Sequence, residues 1–261
     1  MKLVIGGSTG FVATELIRQG LENPAITSIV ALGRRETPAL LATPKLKVVV
    51  CDNFESYPDS VKKELENADA CICLWPGVDG INQPSCLNTP ENHIIDSKNR
   101  TIAVTPMKLK TTPFEETCKI SRDYATSAIQ ALDALRHKQA RPLRFLYMSG
   151  HFAPRSPAEV PKELQDHGLI NYGLLRGEAE TLILTYGEKS KGAVQSCVVK
   201  PGLIDAPERE RREIPGLPHI DLAGIAAALL DQVINGFEKN TLSNDDLVRI
   251  GQMALAEQDD A

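Results

Sequence analysis

Lys2-Leu3-Val4-Ile5-Gly6-Gly7-Ser8-Thr9-Gly10-Phe11-Val12-Ala13 runs from a short apolar strand through a Gly-rich turn into an amphipathic helix that carries Glu15, Leu16, Ile17, Gln19 and Leu21. The spacing reads G-x-x-G-x-x-A, with Ala13 where a third glycine is usual; Ala still permits close helix–strand packing. Gly7 and Gly10 leave out the Cβ atoms that would block the backbone of such a turn or the approach of a pyrophosphate. The first-turn N–H groups and the positive dipole end of the helix then face the phosphates. Gly7, Ser8, Thr9, Gly10, Phe11 and Val12 are therefore candidate cofactor-binding residues. The plainer alternative is a tight strand-to-helix turn. The strand before and the helix after favour dinucleotide binding.

A chain of 261 residues, 42% hydrophobic and 24% charged, suits one globular domain. Its net charge of −5, without a basic run, argues against a nucleic-acid partner. No apolar stretch approaches the roughly 20 residues of a membrane span, and the opening residues already read as a strand. A cytoplasmic protein, monomer or homodimer, is the expectation. The cysteines (Cys51, Cys71, Cys73, Cys86, Cys118 and Cys197) lack C-x-x-C spacing, and the histidines are scattered. The expectation is buried free thiols and no metal site.

Strands and helices alternate along the rest of the chain. Thr27–Leu32, Leu46–Cys51, Asp69–Leu74, Arg144–Met148 and 193–200 read as further strands. Helical spacing marks the runs through Val61 and Leu65, from about Glu116 to His137, from about Leu174 to Lys189, Leu222–Asn235 and Asp245–Leu255. Short, continuously apolar strands between helices imply an α/β, Rossmann-type doubly wound parallel sheet in a single domain spanning 1–261. A ligand in such a fold lies at the carboxyl ends of the strands, which places Leu74 beside the cofactor. The connection after the fourth strand, 76–117, contains five prolines and no clear period. It reads as an insertion covering the substrate pocket, with Trp75 at its root either plugging the loop base or touching substrate. The acidic end Glu257-Gln258-Asp259-Asp260 reads as a frayed tail.

The second strand ends in Gly33-Arg34-Arg35, beside the expected adenosine ribose. An acidic residue there would suit the 2′-hydroxyl of NAD, whereas Arg34 and Arg35 suit the extra phosphate of NADP. Both arginines as solvated turn residues are the alternative. Asp52 and Asn53, just past the third strand, face the adenine position or simply end the strand.

After the fifth strand come Ser149-Gly150-His151, and later the helix opening Asn171-Tyr172-Gly173-Leu174-Leu175-Arg176-Gly177-Glu178-Ala179-Glu180, where Tyr172 and Arg176 share a face. Together with Gly7-x-x-Gly10-x-x-Ala13, Leu32-Gly33-Arg34-Arg35, Tyr147-Met148-Ser149 and Lys200-Pro201-Gly202-Leu203, this resembles the short-chain dehydrogenase/reductase superfamily. The closer resemblance is to its atypical NmrA-like and Tat-interacting-protein-like members of fungal type. The resemblance implies a Tyr that protonates a carbonyl during hydride delivery, a Lys that promotes it and binds the nicotinamide ribose, and a Ser that polarises the carbonyl. By position these roles fall on Tyr172, Arg176 and Ser149. The resemblance also brings Pro201 and Gly202 against the nicotinamide carboxamide.

A phenol of ordinary pKa about 10 gains acidity from an adjacent cation. Arg176 supplies that charge but, always protonated, cannot relay protons. Tyr172 as a packed helix-start residue and Ser149 as a turn cap are the plainer readings, and His151, with an ordinary pKa near neutrality, is the substitute acid or base. The expected activity is NADPH-dependent reduction of a carbonyl or activated double bond in a small organic substrate, with secondary metabolism as its setting. The rivals are a non-redox cyclase or isomerase on the same fold, and an NADP-binding regulatory protein without turnover.

Overall fold

Seven parallel strands in the order β3-β2-β1-β4-β5-β6-β9 form the central sheet of the computed structural model, which describes residues 1–35, 43–74, 114–137, 140–166, 169–208, 211 and 213–259. The strands are β1 (Lys2–Gly6), β2 (Ser28–Gly33), β3 (Leu46–Val50), β4 (Ala70–Cys73), β5 (Leu143–Met148), β6 (Val194–Lys200) and β9 (Thr241–Ser243). A separate two-stranded parallel ribbon pairs β7 (Leu203–Asp205) with β8 (His219–Asp221). The helices are α1 (Phe11–Glu22), α2 (Asp59–Leu65), α3 (Phe114–Cys118), α4 (Tyr124–Ala134), α5 (Lys162–Asp166), α6 (Ile170–Lys189), α7 (Leu222–Asn235) and α8 (Asn244–Asp259). This is the doubly wound Rossmann-like arrangement, and the strand order reverses between β1 and β4. None of the described helices is long and apolar enough to cross a membrane.

The two-residue period of each strand separates the core into two layers. Val4, Cys71, Cys73, Phe145, Tyr147 and Val198 point to one face, where α2, α4 and α6 pack. Leu3, Ile5, Ile72, Leu146, Cys197 and Val199 point to the other, against α1, α7 and α8. Both faces being covered explains why the strands are continuously apolar. Cys51, Cys71, Cys73 and Cys197 are buried free thiols, and Cys118 is half-buried. Burial pushes the Cys197 thiol up to about 12, which leaves it inert as a nucleophile.

Three expectations are revised. The helix before β5 begins at Phe114, and its middle (Lys119–Asp123) is π-helical. Its Ser121 carbonyl accepts a hydrogen bond from the Tyr147 hydroxyl (3.0 Å), which anchors the π segment to the sheet. The acidic end is not frayed at Glu257, because α8 continues to Asp259. The short edge strand β9 and the β7–β8 ribbon were not expected; three residues give periodicity nothing to register. Trp75, Cys86 and the proposed lid, 76–113, lie outside the described residues, and 114–117 belong to α3.

Candidate active site

Parallel pairing brings the carboxyl ends of β2, β1, β4, β5 and β6 to one edge, in that order. The Gly-rich turn, Arg34, Leu74, Ser149 and Pro201 therefore line the same side of the sheet. In the turn, Gly7 has φ +84°, a conformation that favours glycine. The Gly7 and Ser8 N–H groups donate to the Leu32 carbonyl (2.9 and 3.2 Å), tying the turn to the end of β2. Ser8 is fully buried, whereas Thr9 and Gly10 are exposed. Gly10 caps α1 at φ −77° with no side-chain cap, and the first turn holds no acidic residue. Among the described residues, a Cβ on Gly10 would meet only the Gly7 carbonyl, at 3.4 Å. Packing among the described residues therefore leaves the Gly10 side of the turn open, and an uncapped helix start faces that space. Both features fit a pyrophosphate.

At the end of β2, Arg34 is half-buried and Arg35 exposed. A Cβ on Gly33 would lie 2.7 Å from Ser8 Oγ, so the glycine lets the turn sit on β2. Asp52 is exposed. The Asn53 side chain accepts from the Glu55 N–H (3.0 Å), an Asx turn that accounts for its position without a ligand. Leu74 is buried and its N–H donates to the Gly6 carbonyl (2.9 Å), which continues the β1–β4 ladder past Cys73.

The second half of the site is made of side chains. Tyr172 is half-buried at the start of α6. One turn on, the buried Arg176 donates from Nη1 to the Tyr172 hydroxyl (3.1 Å) and from Nη2 to the Met148 carbonyl (3.2 Å). Arg176 thus joins the proton-bearing phenol to the end of β5, immediately before Ser149. Among the described residues its buried Nε has no hydrogen-bond partner, nor does the buried Ser149 hydroxyl. Orphaned polar atoms of this kind cost folding free energy unless a ligand satisfies them. Burial alone would lower the Arg176 pKa, but Tyr172, Tyr147 and Glu180 outweigh it and the net direction is upward. Arg176 is a permanent cation.

One further turn along the same face, Glu180 is completely buried. Its Oε2 accepts from Arg155 Nε (2.8 Å), and Lys200 Nζ lies 3.4 Å from both oxygens. The contact to Oε1 is an ion pair without hydrogen-bond geometry. Lys200 Nζ also donates to the Ala153 carbonyl. Sequence reasoning assigned no role to Arg155, Glu180 or Lys200. The four-residue step from Arg176 to Glu180 was the available signal; the approach of Arg155 and Lys200 is a product of the fold. A Cβ on Gly177 would fall 1.7 Å from the Pro154 carbonyl oxygen, so the glycine is what lets the segment after β5 lie on α6.

Gly202 packs equally tightly, with a hypothetical Cβ 2.0 Å from the Pro218 carbonyl oxygen. Its N–H donates to the Asn244 side chain (3.0 Å), so the architecture explains this glycine without a nicotinamide. Pro201 is buried, and its carbonyl accepts from the His151 N–H (2.9 Å). Burial, followed by the charge of Lys200, lowers the His151 pKa and favours the neutral imidazole. Among the described residues, no group of three or more His, Cys, Asp or Glu is placed to hold a metal ion.

No protein-family model matches the chain, and no curated protein matches it. Solved structures share its fold. Vestitone reductase from alfalfa is 16% identical with a TM-score of 0.58, over 93% of this chain and 76% of that one. The dTDP-glucose 4,6-dehydratase of Bacillus anthracis, in complex with NAD, is 9% identical with a TM-score of 0.59, over 98% and 81%. The oxidoreductase ylbE of Lactococcus lactis is 15% identical with a TM-score of 0.53, over 98% and 97%. Identities this low establish a common architecture. That architecture serves both reductases and a dehydratase.

Proposed function

We propose that this protein is an NADP(H)-dependent oxidoreductase that reduces a carbonyl or activated double bond of a small organic substrate, in the manner of atypical short-chain dehydrogenases of NmrA-like type. The observation that carries the reading is the Tyr172 hydroxyl bonded to Arg176 at 3.1 Å, with Arg176 docked on the residue preceding the unpartnered Ser149 hydroxyl. A proton donor, a fixed cation and a spare hydrogen-bond donor stand together at the carboxyl edge of the sheet. The turn at Gly7–Gly10 would hold the pyrophosphate, Arg34 and Arg35 the 2′-phosphate, and Asp52 the adenosine end. NADPH, when bound, would supply the hydride. Ser149 would donate to the substrate oxygen and Tyr172 would protonate it. Arg176 would stabilise the resulting phenolate and offer its remaining N–H groups to the ribose.

Titration with NADPH and NADH, followed by incubation with a panel of ketones, aldehydes and enones while NADPH absorbance is recorded, tests the proposal. Tighter NADPH binding and consumption with at least one class is expected; equal affinities and an inert panel would overturn it. Arg176 itself favours a second reading, because a guanidinium cannot return a proton to Tyr172. On that reading the protein binds NADP without turnover, or isomerises or cyclises its substrate, and NADPH binds tightly without being consumed.

A further inference from the structure

We propose that Glu180 is a positioning residue of this site: its buried carboxylate holds Arg155 and Lys200 behind Arg176, pins the segment Ser149–Arg155 onto α6, and sets the charge balance felt by the Tyr172 hydroxyl. The inference rests on the reading of Tyr172 as proton donor. Tyr172, Arg176 and Glu180 lie at four-residue steps on one face of α6. Of the three, Glu180 is the only anion, and it is fully buried. Among the described residues, two cations pair with it, Arg155 at 2.8 Å and Lys200 at 3.4 Å, and its charge also acts on Arg176 one turn back along the helix. A carboxylate with no exposure persists only where cations and donors compensate its desolvation. Arg155 continues to Thr241 Oγ1 (3.0 Å) on β9, and Lys200 to the Ala153 carbonyl, so one carboxylate gathers α6, the segment after β5, β6 and β9.

Among the described residues, the groups acting on the Tyr172–Arg176 pair are Tyr147 from β5 and Glu180 from α6, with Arg155 and Lys200 paired to Glu180; Cys73 of β4 acts on Tyr147. Arg122, from the π segment, is paired with Asp123 and Glu178. His151 is acted on by Lys200, Asp245 and Glu163. Loss of the Glu180 charge leaves an uncompensated excess of cations near Tyr172 and favours its phenolate. Loss of the Arg155 charge does the reverse.

The test is a tyrosinate absorbance titration of the cofactor-free protein, each variant paired with its Tyr172→Phe counterpart so that the difference isolates Tyr172. Glu180→Gln, which removes the negative charge two helical turns from Tyr172, should lower that midpoint. Arg155→Gln, at a side chain about one-third exposed, should raise it. Glu180→Asp, which keeps the charge, should restore the original midpoint. A purely structural role would move the Gln variants in the same direction or neither, and either result overturns the proposal. If Glu180→Gln does not fold, Arg155→Gln decides alone, since an unmoved or lowered midpoint refutes it. The titration needs neither substrate nor NADPH. An inert reductase assay beside opposite shifts removes the redox reading only, and turnover without the shifts removes this one.

Discussion

The two halves of the candidate site are built from different materials. Around β1 and α1 the site is built mainly from backbone: Gly7, Ser8 and Gly10 within a few consecutive residues and an uncapped helix start, with the half-buried Arg34 beside it at the end of β2 and, among the described residues, no fully buried charge. Around β5, α6 and β6 it consists of side chains from Ser149 to Lys200, with a buried ion cluster and orphaned polar atoms. A backbone site needs little more than the right dihedrals and open space, so a short motif is enough to build it. A side-chain site depends on segments distant in sequence approaching closely, and here glycine at position 177 permits that approach.

The largest effect expected is in the side-chain half. Tyr172→Phe deletes only the hydroxyl, so NADPH affinity should persist while turnover falls by about 10²–10⁴. Retained turnover would remove Tyr172 as the proton donor and leave that role to His151 or to no group of this half. Arg176→Lys should keep or raise turnover, and Arg176→Ala should reduce both turnover and NADPH affinity.

Next in size is Arg34→Ala in the backbone half. Charge-assisted bonds of about 1.5–3 kcal/mol each correspond to roughly a tenfold to hundredfold narrowing of the preference for NADPH over NADH. Calorimetric titration of both nucleotides measures it, and an unchanged ratio would remove Arg34 from the cofactor site.

Two glycine-to-alanine substitutions sharpen the comparison further. Gly177→Ala places a Cβ 1.7 Å from the Pro154 carbonyl oxygen; overpacking should cost about 1–3 kcal/mol, read as a lowered denaturation midpoint together with reduced turnover. Among the described residues, Gly10→Ala meets only one ordinary contact, at 3.4 Å. Its stability should stay level or rise by up to about 1 kcal/mol, while NADPH affinity falls because the Cβ enters space open to the phosphates. If Gly10→Ala instead destabilised the fold and spared NADPH binding, the Gly-rich turn would be structural.

The sequence by itself determined the doubly wound sheet, the Gly-rich turn and the pairing of Tyr172 with Arg176. Each rests on local periodicity or a fixed helical step, and local geometry follows from short-range backbone sterics and burial. It missed the three-residue strands β7, β8 and β9, too short to carry a period, and the π-helical stretch Lys119–Asp123, stabilised in part by the distant Tyr147 hydroxyl. Only the tertiary structure decided that Asn53 closes a turn, that Gly202 packs against Pro218, and that Arg155 and Lys200 meet at Glu180. The last of these is the least legible in the chain. Partners 20 or more residues apart are brought together by strand order and crossover packing, and no spacing within one helix or strand encodes that.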